Sequence, residues 1–125
     1  MPPSMLRLLA FVACSLSAVA TASTATFDAV TDNGVSMTFE IDSPVTMAAT
    51  SAVVCLNTST PLTEAKLWMV MDNGHQHGST PTTIASIGNN CYRVKDINFV
   101  MTGEWQIRIK LANSDRGKFF VPVED

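Results

Sequence analysis

The sequence predicts an all-β domain, an antiparallel β-sandwich of about seven strands. Three observations predict it. Apolar residues recur at every second position in several separate runs, the period of a strand with one buried face. Turn residues punctuate those runs roughly every eight to twelve positions, the spacing of a sandwich. No stretch sustains helical periodicity, and neither internal repeats nor low-complexity linkers interrupt the pattern. At 125 residues the chain has room for one domain.

The first segment reads as an address. Residues 1–26 are MPPSMLRLLAFVACSLSAVATASTAT, with Arg7 ahead of the apolar run Leu8 to Ala13 and small residues after it. Ala18-Val19-Ala20 and Ala20-Thr21-Ala22 both satisfy the A-x-A rule, so residues 1–22 are expected to be a cleaved signal peptide and 23–125 the mature domain. The run is too short, and too rich in Ser and Thr, to span a bilayer as a helix. A rival reading takes Phe11-Val12-Ala13-Cys14 as a lipobox-like sequence that would anchor the protein through Cys14. With no other segment of membrane-spanning length, the expected product is soluble and exported, periplasmic or secreted.

The strands follow in order. Val35, Met37, Phe39 and Ile41 alternate cleanly. Ser51 to Leu56 is short, apolar and β-branched. Ala65 to Met71 sets Leu67, Met69 and Met71 on one face and Trp68 and Val70 on the other. Thr82 to Ile87 is a short fourth run. Cys91 to Phe99 places Tyr92 and Val94 together, with an irregularity expected near Asp96. Trp105, Ile107, Ile109 and Leu111 alternate with Gln106, Arg108 and Lys110. Phe119, Val121 and Val123 close the chain. Pro44, Pro61 and Pro81 fall between runs, where a missing N–H costs no ladder bond, and Pro122 inside the last run marks an edge strand. An immunoglobulin-like sandwich is the natural form for such a pattern.

Composition excludes several functions. A formal net charge of −3 and a pI near 5.2 leave no electrostatic footprint for DNA or RNA, so no nucleic-acid partner is expected. Charged residues are 15% and hydrophobic residues 46%, the balance of a chain that folds. Two His and one Tyr are too few for a multi-histidine metalloenzyme centre and weigh against a hydrolytic triad. Ser79, two positions past His77, has no strained-turn signature of a nucleophile. No enzymatic activity is expected. Asn57-Thr58-Ser59 is a glycosylation sequon, read as incidental.

After export two cysteines remain. Cys55 and Cys91 are expected to pair, closing a loop whose entropy contributes roughly 3–4 kcal/mol. Two separate thiols, or thiolate metal ligands, are the alternatives. The order Cys55, Trp68, Cys91 echoes the Cys…Trp…Cys order of immunoglobulin domains.

The concentrated chemistry lies in Leu67-Trp68-Met69-Val70-Met71-Asp72-Asn73-Gly74-His75-Gln76-His77-Gly78, which holds both histidines of the chain. Imidazole suits copper, zinc and nickel, and thioether sulfur selects Cu(I). His75 and His77 are expected in a loop after the third strand. Successive antiparallel strands reverse direction, so alternate connections share an end. Met47, Met71, His75, His77 and Met101 are thereby expected at one end of the sandwich. The competing reading makes Met69, Met71 and Met101 core plugs. Oxygen ligation by Asp32 and Asp72 lacks the clustered carboxylates of a calcium loop.

From Leu67 to Val121 the chain resembles the YtkA-like family, related in fold to FixH-type accessory proteins. The matching features are Leu67 to Met71 leading into His77-Gly78 with Pro81 soon after, then Cys91-Tyr92-Arg93-Val94. Asn98-Phe99-Val100-Met101-Thr102-Gly103-Glu104-Trp105-Gln106-Ile107 then follows the family's Phe-x-Met-x-Gly-x-Trp pattern. Family members often read Met-Pro-x-Met-x-His-Gly in the loop; here Asp72-Asn73-Gly74 follows Met71, and His75 stands near the place of the second methionine. The resemblance implies an exported domain near copper handling or respiratory oxidase maturation, with copper the first candidate cofactor and zinc the second. A metal-free immunoglobulin-like module for protein–protein interaction is the alternative function.

Overall fold

The computed structural model describes residues 23–70, 76–78 and 81–124. The expected signal peptide, the alternative anchor Cys14, and the candidate ligands Met71 and His75 lie outside the described residues. Within them the fold is all-β, with every pairing between its strands antiparallel. The strands are β1 (Ser23–Val30), β2 (Ser36–Ser43), β3 (Thr50–Leu56), β4 (Leu62–Val70), β5 (Gln76–Gly78), β6 (Thr83–Gly88), β7 (Cys91–Ile97), β8 (Gly103–Leu111) and β9 (Arg116–Val123). They form a five-stranded sheet, β1-β2-β3-β7-β6, and a four-stranded sheet, β5-β4-β8-β9.

Alternation sorts the side chains as period-2 patterning requires. Met37, Phe39 and Ile41 of β2 face Trp105, Ile107, Ile109 and Leu111 of β8 and Phe119 and Val121 of β9 across one buried core. Aromatic rings join the layers. Phe39 lies 5.4 Å from Phe119, and Phe99 meets Trp105 edge-on at 5.4 Å, the offset geometry that ring quadrupoles favour. Trp105 is fully buried, and its Nε1–H donates to the Met101 carbonyl at 2.9 Å.

A polar clasp closes the opposite end. Thr31 and Asp115 are each 4% exposed. Thr31 Oγ1 donates to Asp115 Oδ2 at 2.5 Å, and the same carboxylate accepts the N–H groups of Asn33 and Arg116 at 3.1 and 2.9 Å. The N–H of Asp32 also donates to the Arg116 carbonyl at 2.8 Å. The β1–β2 turn is thus bound to the start of β9, and a carboxylate with three donors is tolerable in a buried position.

Several expectations are corrected here. There are nine strands among the described residues, because β1 and β5 join the seven runs read from the sequence. β1 presents small residues, Ala25 and Ala29, beside Phe27 on its half-buried face, so its alternation is faint. β5 has three residues and no apolar pattern. His77 therefore lies in a strand and not in a loop. β4 begins at Leu62, with a bulge between Leu62 and Glu64 that shifts the alternation. β7 ends at Ile97, just after Asp96 takes a φ of 63°, the irregularity expected there. Pro122 sits in β9, an edge strand as its missing N–H demands.

Cys55 and Cys91 are disulfide-bonded. They are paired residues of β3 and β7, neighbours in one sheet, on its outer and partly exposed face. Trp68 faces outward on the other sheet, and the buried tryptophan is Trp105. The Cys…Trp…Cys order is therefore not the inter-sheet cluster it echoes: Cys91 shares a face with Arg93, opposite to that of the buried Val94.

Candidate functional site

Strand direction decides which connections share an end of the sandwich. β2, β4 and β7 all finish at one end, since each is antiparallel or short-linked to a strand that runs the other way. Residues 44–49 and 98–102 lie at that end, and β4 reaches it at Val70. Residues 57–61, 89–90 and 112–115 lie at the other end.

Register locates the candidates across the sheet. His77 pairs with Met69, Met69 with Trp105, and Trp105 with Val121. The backbones at His77 and Trp105 are two strand spacings apart, about 10 Å. The hydrogen bond from Trp105 to the Met101 carbonyl holds Met101 over this same part of the sheet, where its side chain is half-buried against the core. Met47 stands elsewhere on the same end. Thr46 forms a bridge with Glu124, beyond β9, and the Glu124 N–H donates to the Val45 carbonyl at 2.8 Å. β5 and β9 are opposite edges of their sheet, so residue 46 lies about four strand spacings, about 19 Å, from β5. Met47 itself is 44% exposed.

Met69 is a core residue. It is buried, and its Cε occupies the space in which a Cβ on Gly103 would collide. Gly103, at a φ of 131°, is what lets the Met69 side chain fill the layer beside Trp105. For Met69 the core-plug reading holds. Among the described residues no group of three or more His, Cys, Asp or Glu is arranged to hold a metal, and methionine sulfur is outside that set of residue types.

A second feature is one that the overall charge conceals. The outer face of β4, β8 and β9 carries Lys66, Arg108, Lys110, Arg116 and Lys118, five of the eight Lys and Arg of the chain. The signal was present as cations at alternate positions within strands, but which strands lie side by side is a tertiary fact.

Comparison with family models, with curated proteins and with solved structures returns no match for this chain.

Proposed function

We propose that the protein is an exported, immunoglobulin-like metal-binding domain that takes one copper ion at the end of the sandwich where β4 and β7 finish. The immunoglobulin-like reading is supported by strand order. β2-β3-β7-β6 follows the A-B-E-D order of such domains and β4-β8-β9 the C-F-G order, with β5 beside C and β1 added at the edge.

The observation that supports the copper reading is that Met101 is hydrogen-bonded to Trp105, whose backbone lies two strand spacings, about 10 Å, from His77 at the same end of the sandwich. His75 and His77 supply imidazole, and Met71 and Met101 supply thioether sulfur. Soft ligands select Cu(I) over zinc, whereas imidazole alone does not discriminate. Met101 suits the set better than Met47, because Met47 belongs to the far edge of the sheet. Bound copper would be carried or buffered rather than used in turnover. The partner class is a copper-handling or respiratory-assembly protein, and the compartment is periplasmic or extracellular.

Competition of the purified protein against a Cu(I) chelator tests the reading. His75→Ala with His77→Ala should remove most of the affinity, Met101→Leu should weaken it, and Met47→Leu and Met37→Leu should leave it unchanged. Imidazole must be neutral to ligate, so affinity should fall below about pH 6.5, the ordinary imidazole value. A double-histidine variant that binds as tightly as wild type overturns the proposal. Absence of any copper or zinc uptake favours the metal-free interaction module.

A further inference from the structure

The Cys55–Cys91 bond joins two strands that are already hydrogen-bonded to each other. β3 and β7 pair in register from Ala52 opposite Val94 to Cys55 opposite Cys91. The Leu56 N–H donates to the Asn90 carbonyl at 2.9 Å, so the adjacent pair, Cys55 with Cys91, is a non-hydrogen-bonded one. Pairs of that kind bring their side chains closest, with Cα atoms about 4.5 Å apart. The backbone ladder thus holds the two sulfurs within reach of each other whether or not they are bonded. Neither layer of the sandwich depends on the bond. Ala52, Val54 and Leu56 of β3 and Val94 and Ile97 of β7 are buried on the opposite face and anchor both strands in the core. The bridge of an immunoglobulin domain ties one sheet to the other through the core; this one lies outside it. A cross-link placed there can open without parting the sheets.

Solvent reaches the pair. Both cysteines are partly exposed, in a row that runs Asp28, Thr38, Cys55, Cys91 across four strands. An open groove of about 610 Å³ on the β1–β2–β3 side has Cys55 in its wall, with Asp28, Val30, Ser36, Thr38 and Asn57. That is the size of a ligand pocket, and Val30 in its wall is 62% exposed. On the far side of the bond, Arg93 follows Cys91 by two positions on the same outer face, about 7 Å along the strand. Among the described residues Arg93 takes part in no ion pair. One sulfur thus opens on a groove, and the other has a cation beside it.

We infer that Cys55–Cys91 is a thiol–disulfide exchange site, at which the folded domain oxidises the dithiol of a partner protein. A partner thiolate entering along the groove attacks Cys55 Sγ. An S–S bond forms to Cys55, the Cys55–Cys91 bond breaks, and its electron pair leaves on Cys91 as a thiolate. The partner's second thiolate then attacks the partner sulfur of the mixed disulfide, closing the partner's own disulfide and releasing the Cys55 thiolate. The two protons given up by the partner's thiols end, through solvent, on Cys55 and Cys91. The partner has lost two electrons and the domain has gained them. Arg93 is a positioned charge: a nearby cation favours a thiolate, and a more stable thiolate leaves faster. Exposed disulfides are the ones that exchange readily. The pair lies at the end of the sandwich opposite the proposed copper site, and the exchange does not rest on that reading.

The test uses the purified full-length protein carrying Cys14→Ser, so that Cys55 and Cys91 are its only cysteines. The probe is reduced thioredoxin, a Cys-x-x-Cys dithiol protein. In native buffer thioredoxin should become oxidised in step with the appearance of two alkylatable thiols, counted by mass, while the near-ultraviolet circular dichroism is kept. The rate should rise in proportion to thioredoxin and stay flat in urea below the unfolding transition. Arg93→Gln should slow it at least about threefold, Arg93→Lys should restore it, and Lys118→Gln, on the other sheet, should leave it unchanged. Thioredoxin lacking its resolving cysteine should be trapped on Cys55, as peptide mapping would show. Reduction that saturates at the rate of global unfolding, that urea accelerates below the transition, or that abolishes the dichroism would overturn the inference. Trapping on Cys91, or equal rates for wild type and Arg93→Gln, would overturn it as well.

Discussion

Replacing Asp115 by Ala should be among the most damaging single changes outside the hydrophobic core. The side chain is buried and accepts hydrogen bonds from Thr31 Oγ1, from the Asn33 N–H and from the Arg116 N–H. A hydrogen bond to a charged acceptor contributes about 1.5–3 kcal/mol, and a buried donor left alone adds its own desolvation cost. The two backbone donors are partly buried, where water can replace some of the loss, so each belongs near the lower bound. The Thr31 hydroxyl is buried and has no such relief. Two bonds at about 1.5 and one at about 2–3 kcal/mol give about 5–6 kcal/mol. For a domain of this size each kcal/mol lowers the melting temperature by about 4–8 °C, so a fall of at least about 20 °C is expected. Asp115→Asn, which retains an acceptor oxygen for the backbone donors, should cost about half as much. Urea denaturation followed by tryptophan fluorescence measures both, the midpoint shifting while the slope stays constant. A double-mutant cycle with Thr31→Val should show a coupling of at least about 1 kcal/mol. A loss below about 1 kcal/mol for Asp115→Ala, or strict additivity in the cycle, would refute the clasp as a determinant of stability.

Gly103→Ala should destabilise by about 2–4 kcal/mol, because the added Cβ collides with Met69 Cε at a backbone angle that L-residues avoid; Met69→Ala should relieve the collision without restoring stability, as a two-variant melting comparison would show. Reduction of the Cys55–Cys91 bond should lower stability by about 3–4 kcal/mol through the loop it closes, at a sequence separation of 36; an unchanged urea midpoint in reductant would contradict this. Trp105→Phe should cost about 2–3 kcal/mol, from lost packing and from the Met101 carbonyl left without its donor. Loss of both the copper affinity and the slow exchange of nearby amides in that variant would tie Met101 to Trp105; intact copper affinity would detach Met101 from the candidate site.

The core was legible in the sequence, and for a simple reason. Strand side chains alternate with a period of two, so Met37-Phe39-Ile41 and Trp105-Ile107-Ile109-Leu111 declare their buried face without any partner being known. Class, approximate strand positions, the edge character of β9 and the irregularity at Asp96 all follow from local rules of this kind. β1 and β5 escaped because edge strands need less apolar surface, and three residues carry no period. The sharing of one end by residues 44–49 and 98–102 was also legible, since strand reversal is a local rule.

Lateral neighbourhood was not legible, because it depends on which strands pair. Only the tertiary structure sets Thr46, the neighbour of Met47 in the chain, beside Glu124 and Met101 beside Trp105, separating two methionines that parity had treated alike. It likewise joins Cys55 to Cys91 within one sheet instead of between two, and joins Thr31 to Asp115 across 84 positions. The row Lys66–Arg108–Lys118 has the same origin. Net charge is a sum over the chain and has no direction, whereas hydrogen-bonded register brings distant residues to within a strand spacing of each other. The sequence by itself therefore determined which face of each strand meets the core. The pairing of strands decided which outward-facing residues act together.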